Sequence, residues 1–444
     1  MDLTEFSRIY VYTIINNDIK NFMMNELSRR QFMSSVAKSC LGVSAIISAE
    51  DLLGARTGSV PTARNVIFLY MAGGMTHLDT LDPKPGNKEV MGETTAIKTS
   101  ADGIQLGHWL PKTATQMHNA TIVRSMNTNQ GAHAQANYLL HTSYQRRGTI
   151  IHPSMGAWVS RFTEKLNAAL PANVRINGGS DVLGAGYFEK KHGPLPLGNP
   201  SAGIQNVKKA GYVDNDMFNK RLDIAGKFNK SFLGTYPQKQ IRAYTDLYDD
   251  ATKLMKSSDL EAFDLTKEPQ QVREEYGDNN FGQGCLLARR LVGSGVRFVE
   301  VQLGGWDMHN DVFGNLEDKA AMLDSGLSSL LKDLERRGML GDTLVVLASE
   351  FGRTPEIKAG RNGRDHHPSA FSTLLAGGGI KGGYIYGKSD ERAHYAEENG
   401  VGMEELNATI AHAMGISVNK TIFSPSGRPF KVAHGKQPIL DILS

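Results

Sequence analysis

Short, fully apolar runs recur along this chain, and each is closed by a polar stretch that carries glycine. The first is Asn65–Met71, N-V-I-F-L-Y-M, whose unbroken apolar character fits a strand buried on both faces. Residues 120–124, 297–303, Thr343–Ala348 and 372–376 repeat the pattern, with β-branched and aromatic side chains supplying the bulk. Between these runs the period lengthens. Residues 134–142, 241–255, 282–292 and 316–337 carry apolar positions at helical spacing. In the last of them Leu323, Leu327, Leu330, Leu331 and Leu334 form one stripe, and Gly338 supplies the stop. Strand and helix in alternation predict an α/β fold, a mostly parallel central sheet with helices on both faces. From about 180 to 235 the chain is rich in Gly, Pro, Asn and Lys without a clear period, which predicts long loops covering a crevice.

Candidate chemistry collects where the strands end, the place from which an α/β protein aims side chains into a crevice. The run 297–303 breaks at Gly304-Gly305 and delivers Trp306, Asp307 and His309. Asp307 and His309 are two apart in an extended segment and point the same way, as two ligands of one metal must. A polar loop with a capping Asp would read the same. Asn65–Met71 runs into A-G-G-M-T-H-L-D, so His77 and Asp79 repeat the alternation; the competing reading has Asp79 and Asp82 capping turns before Pro83 and Pro85. Thr343–Ala348 leads into S-E-F-G-R-T-P, with Glu350 and Arg353, and a loop then gives G-R-D-H-H-P, with Arg364, Asp365, His366 and His367.

After 120–124 a polar run reaches His133 at the head of a helix, a position suited to an anion or a nucleophile. One histidine at a strand end is usually structural. Three clusters at three strand ends point to a metal centre drawn from Asp307, His309, Glu350, His366, His367, His77 and Asp79. Histidine with carboxylate and no cysteine suits a divalent ion: Zn, Mn or Fe(II), with Mg or Ca where carboxylates dominate. Arg353 and Arg364 would grip an anionic ester, because guanidinium matches phosphate or sulfate oxygens bidentately. The glycine run at 377–383 lacks the spacing of a phosphate-binding loop and reads as a tight turn.

Composition narrows the class. A hydrophobic content of 40% with 21% charged residues is that of an ordinary globular protein, and a net charge of +3 gives no reason to expect nucleic acid. No apolar run is long enough for a transmembrane anchor. The cysteines are Cys40 and Cys285, too few for a disulfide framework or a Zn ribbon, so a metal must rely on histidine and carboxylate. Cys285 sits in a helical run and reads as core.

Ser28-Arg29-Arg30-Gln31-Phe32-Met33, followed by the modest apolar stretch 36–47, resembles a twin-arginine signal, with Met23 or Met24 as start and a cut near Ala49 or Ala55. The competing reading is a basic amphipathic helix. Lys38 spoils a lipoprotein site before Cys40. The expected organisation is a leader over 1–55, handed to the twin-arginine (Tat) export machinery, and a single domain over 56–444 in the periplasm or outside the cell.

Four motifs together, G-G-x-[ST]-H-x-D, G-G-W-D-x-H, E-F-G-R-T-P and G-R-D-H-H-P, resemble a bacterial family of unknown function, the domain-of-unknown-function 1501 family, over about 28–444. The stretch from Leu323 to Gly352 also looks like the helix and metal-binding strand end of sulfatases and alkaline phosphatases. The resemblance implies an alkaline phosphatase-like fold and hydrolysis of a phosphate or sulfate ester. It also brings departures. Ala72 stands where the first strand of that superfamily ends in a metal-binding Asp, and Glu350-Phe351 replaces the usual Asp-Asn/His pair. Cys285-Leu286-Leu287-Ala288-Arg289 lacks the Pro of a formylglycine site. Aligning His141 to Tyr144 with the sulfatase turn puts His133 at the nucleophile's place; Thr128, Thr76 or a metal-bound hydroxide remain open.

These readings converge on an exported metal-dependent ester hydrolase. The rival is a non-catalytic envelope protein that binds a sulfated or phosphorylated glycan in the same crevice. Changing Arg29 and Arg30 both to Lys is expected to hold the precursor in the cytoplasm. An unchanged periplasmic yield in cell fractions would refute the signal.

Overall fold

The seven residues of β1 (Asn65–Met71) are all buried, at the middle of an eight-stranded sheet. The other strands are β2 (Ala120–Met126), β3 (Asn173–Ile176), β4 (Leu195–Leu197), β5 (Phe298–Leu303), β6 (Thr343–Ala348), β7 (Phe371–Ala376) and β8 (Tyr384–Tyr386). Their spatial order is β8-β2-β7-β6-β1-β5-β3-β4. β1 pairs in parallel with β5, from Val66 beside Phe298 to Met71 beside Leu303, and in parallel with β6 on its other side. Among the eight, β7 alone is antiparallel to its neighbours β2 and β6. It therefore starts at the edge where the other strands end, and the loop before it arrives beside the loops that follow β1, β5 and β6. The computed structural model describes residues 60–444 apart from 179–182, 206, 208–211 and 237–238. The twin-arginine segment lies outside the described residues.

Alternation along β1 divides two cores. Ile67, Leu69 and Met71 face one, which holds apolar residues of α5 (Asn280–Gly293) and α6 (Val312–Arg336). Val66, Phe68 and Tyr70 face the other, with α1 (His133–Thr142), α2 (Met155–Phe162) and α7 (Met403–Ala413). Helices on both faces of a mostly parallel sheet are what the alternating periods predict. Gly338, at φ 67°, ends the α6 region as expected, and Cys285 is buried in the core.

One expectation is corrected. The stretch read as loops from 180 to 235 contains a helix, α3 (Asn215–Thr235), followed by α4 (Lys239–Lys256). Asp214 caps α3, its carboxylate accepting from the Met217 N–H at 2.7 Å. Phe218, Leu222 and Leu233 are part-buried, while Ile224, Phe228 and Phe232 are exposed. With apolar residues on both sides the helix shows no clean stripe, and its period was hidden. No helix among the described residues is long and apolar enough to cross a membrane.

Under the sheet a buried ion network joins α5 to α6. Arg289 forms a fork on Glu268 at 3.1 and 2.7 Å and reaches Asp333 at 2.8 Å, while Arg290 also bonds Glu268. Burial would raise both carboxyls, but the arginines outweigh it and hold Glu268 and Asp333 below their ordinary values. A depressed carboxyl stabilises the fold above its unfolded pKa, and the contribution is lost as pH falls through the folded one. The Glu268→Gln variant is therefore expected to unfold at lower urea than wild type at pH 7. That gap should close below about pH 4, the region of unfolded carboxyl pKa values. A gap that persists undiminished at pH 3 would show that the loss is one of packing alone.

Candidate metal centre

The loops after β1 and β5 touch because glycine lets them. At Gly73, φ 115°, an added Cβ would lie 2.6 Å from the backbone N of Asp307. The Trp306 N–H donates to the Ala72 carbonyl at 3.2 Å, and the buried Trp306 ring anchors the turn. Gly363 sits closer still to the carbonyl of His309, 2.0 Å from where its Cβ would be. These approaches bring Asp307, His309 and the loop before β7 to one place.

Three imidazoles meet there around one carboxylate oxygen. Asp307 Oδ1 lies 3.3 Å from Nε2 of His133, 3.0 Å from Nε2 of His309 and 3.2 Å from Nε2 of His366. Each ring is held by its other nitrogen: His133 Nδ1 on Glu350 at 2.8 Å, His309 Nδ1 on Asp365 at 2.7 Å, His366 Nδ1 on the Gly131 carbonyl at 2.9 Å. An oxygen at Nδ1 puts the proton there and leaves the lone pair on Nε2, the tautomer of a metal-ligating histidine. The Nε2 of His133 is buried without a hydrogen-bond partner. Converging lone pairs and a carboxylate, one of them orphaned, fit a divalent cation. His133, Asp307 and His366 can each offer an atom within 4.8 Å of the others, and His309 Nε2 adjoins at 3.1 Å from His366 Nε2.

Arg353 sets the position of Asp307. Its guanidinium is fully buried and donates to Asp307 Oδ1, to the carbonyls of Gly73 and Gly74, and to that of Arg364. Partial burial would raise the Asp307 carboxyl, but Arg353, with His366 and His133, holds it well below the carboxylate range. The hydrogen bond to Glu350 raises His133 above the ordinary histidine value, against the effect of burial.

The predicted residues thus divide. Asp307, His309, His366 and Glu350 come together, Glu350 at the back of His133 and also accepting the Gly73 N–H at 2.8 Å. His133, expected as a nucleophile, stands among the ligand atoms instead. His77 and His367 turn to backbone: His77 Nε2 to the Ala393 carbonyl at 2.9 Å, His367 Nε2 to that of His394 at 2.6 Å. Burial lowers His77 to about 4 and also lowers His367. Asp79 meets Arg364 in a fully buried pair, at 2.9 and 3.1 Å, with Thr76 and Thr94 hydroxyls on the same carboxylate. The remaining donors of Arg364 go to the carbonyls of Thr354, Pro355 and Val90. Neither Arg353 nor Arg364 has a free edge for an anion. Sequence reasoning gathered Asp365 at this edge without assigning it the support of His309, and it did not single out Gly131, whose carbonyl supports His366.

A family model described as "Protein of unknown function (DUF1501)" matches residues 63–443. No curated protein matches the chain. Among solved structures it is similar to the lipoteichoic acid synthase LtaP from Listeria monocytogenes, at 9% identity over 83% of this chain and 74% of that one, TM-score 0.37. It is also similar to the PsFucS1 sulfatase from Pseudoalteromonas sp., at 14% identity over 82% and 70%, TM-score 0.37. A protein in the alkaline phosphatase superfamily from Vibrio parahaemolyticus is similar at 10% identity over 87% and 73%, TM-score 0.32.

Arg364→Met would strand the buried Asp79 charge. The expected cost is about 3–5 kcal/mol of folding stability, read from urea unfolding. A loss under about 1 kcal/mol would mean that the two Thr hydroxyls suffice for Asp79.

Proposed function

The chain belongs to the DUF1501 family, and from that starting point we propose that it is a metal-dependent hydrolase of a phosphate or sulfate ester. The observation that carries this reading is the meeting of three histidine Nε2 atoms on Asp307 Oδ1, at 3.0 to 3.3 Å. Asp307, His133, His309 and His366 would hold the ion, and zinc suits the nitrogen-rich set best. Such an ion supplies Lewis acidity to a phosphoryl or sulfuryl oxygen.

The other residues keep that set in order. Glu350 fixes the His133 ring, Asp365 fixes His309, and Arg353 aims Asp307. With Arg353 and Arg364 engaged elsewhere, the grip on an anion falls to Lys358 and Arg361, part-exposed beside Asp365 at 3.3 Å each. Of the side-chain nucleophiles considered, Thr76 is buried with its hydroxyl on Asp79, His133 has both ring nitrogens turned to carboxylates, and the part-buried Thr128 hydroxyl accepts from the Gln130 N–H at 3.3 Å. In this reading water is the attacking group. The twin-arginine segment supports action outside the cytoplasm. The lack of a side-chain nucleophile among the clustered residues also favours the second reading, a protein that binds an anionic glycan at this cluster without hydrolysing it.

Elemental analysis of protein prepared without chelator should find near-stoichiometric zinc or another divalent ion. Asp307→Ala should lose it, and Glu350→Gln should weaken affinity about 10–100-fold. A screen of aryl phosphates, aryl sulfates and phosphodiesters should reveal turnover that Asp307→Ala abolishes. Metal-free wild-type protein of normal stability would sink the metal centre. Metal without turnover on any ester would favour the glycan binder.

A further inference from the structure

The helix α1 carries the chain away from the cluster. His133 opens it, and ten residues later, about 15 Å along at 1.5 Å per residue, it ends at Ser143 in the left-handed region, φ 62°. Beyond that end lies a cavity of about 720 Å³, between residues 143–152 and the hairpin of Thr421–Phe423 with Pro429–Lys431. Its size is that of a small-molecule site, roughly 300–1,000 Å³.

Aromatic rings form one wall. The Tyr144 ring lies flat on His152, with centroids 4.3 Å apart and planes 4° apart, while Phe430 stands edge-on to it at 5.4 Å and His434 approaches at 4.7 Å. The wall is fixed by hydrogen bonds. Tyr144 Oη donates to the Lys431 carbonyl at 2.7 Å and accepts from the Lys431 N–H at 3.0 Å. His152 is buried, and its N–H donates to Tyr138 Oη at 2.7 Å. The Tyr138 hydroxyl proton is then best placed on His152 Nδ1, 2.8 Å away, which leaves the imidazole proton on Nε2. Burial and the nearby Arg147 and His434 lower this ring to about 4, so it is neutral at pH 7. Among the described residues nothing accepts from His152 Nε2, a donor on a ring that lines the cavity.

Arg147, Arg428 and Lys431 stand around the same space with Glu404 as its acid. None of the three cations makes an ion pair with a carboxylate among the described residues; Arg428 donates to Thr149 Oγ1 at 3.2 Å. An apolar ligand would desolvate these charges without return. A bare inorganic anion would leave the rings unused. A sugar ring has apolar C–H faces for an aromatic wall and hydroxyls for Glu404, and an ester oxyanion on it would answer the guanidiniums bidentately. We propose that this cavity binds a sulfated or phosphorylated sugar unit, at a site separate from the His–Asp cluster and independent of the reaction assigned there.

Calorimetric titration of the full chain with a heparin tetrasaccharide, its desulfated counterpart and inorganic sulfate tests this. The sulfated tetrasaccharide should bind, with the other two at least ten-fold weaker. Arg147→Gln/Lys431→Gln should weaken binding at least ten-fold at an unchanged melting temperature. Should that pair disturb the hairpin, Arg147→Gln alone, at an exposed position, should still weaken it about three-fold. Asp307→Ala in the cluster, and Lys220→Gln/Lys227→Gln on α3, should bind like the wild type. Equal binding of the desulfated sugar would overturn the proposal. So would a loss as large in either control variant, or full binding by Arg147→Gln.

Discussion

A single buried guanidinium holds the functional edge of this protein together. Arg353 follows β6, yet its donors reach the carbonyls of Gly73 and Gly74 after β1, the Asp307 carboxylate after β5, and the Arg364 carbonyl before β7. Three connections far apart in sequence, those that follow β1, β5 and β6, are pinned by one planar group. Lysine could not substitute, because three donors on one atom cannot span acceptors set in different directions. Burying the charge is costly unless it is paired and hydrogen-bonded; Asp307 supplies the countercharge, and the carbonyls of Gly73 and Gly74 come close because no side chain stands between.

Around this clamp, the histidines are ordered from behind. Glu350 serves the Gly73 N–H and His133 with the same oxygen, so the loop after β1 and the head of α1 are tied through one carboxylate. Asp365 ties His309 across to the loop before β7. The rings are thereby limited in rotation before any ligand arrives, and the cost of organising them is met during folding. Asp307 differs from its neighbours: its side chain is 47% exposed and its Oδ1 faces Arg353 and three imidazoles at once. Solvent access at the one anionic atom, with rigid support behind it, is the division of labour expected at a binding edge.

How much of this could be read from the chain depended on distance in sequence. β1, β5, β6 and α6 were legible because each carries its own period, and Asp307, His309 and His366 because glycine breaks announce strand ends. The roles of Arg353 and Arg364 were not. Both look like surface grips in E-F-G-R-T-P and G-R-D-H-H-P, and their burial depends on partners such as Asp79 that lie 285 positions away. His77 and His367 failed for a local reason. The parity argument assumes extended backbone, but the chain turns at 77–82, with the Thr80 and Asp82 N–H groups donating to the His77 carbonyl at 3.2 and 2.8 Å, so the count of two from His77 to Asp79 no longer assigns a common face. His366 and His367 do lie in a short ladder, and there parity sends only one of them to the cluster. The surroundings of His133 were not legible either, because Glu350 behind it and Asp307 before it come from other strands.

The antiparallel β7 is what makes the arrangement economical in chain. A parallel strand there would have brought its carboxyl end, and a crossover connection, to the functional edge. Reversal instead lets the segment 352–371 leave β6, turn through the Gly352–Arg353 and His366–His367 ladder, and enter β7 on the same edge. The clamp arginine and its partner carbonyl at Arg364 are consequently in one excursion, eleven residues apart, and His366 is registered directly opposite Arg353. Ligand and positioning group are thus fixed by backbone pairing rather than by side-chain reach. A short ladder of this kind transmits little freedom, which is why a cluster carried on loops can still be held as closely as one carried on helices.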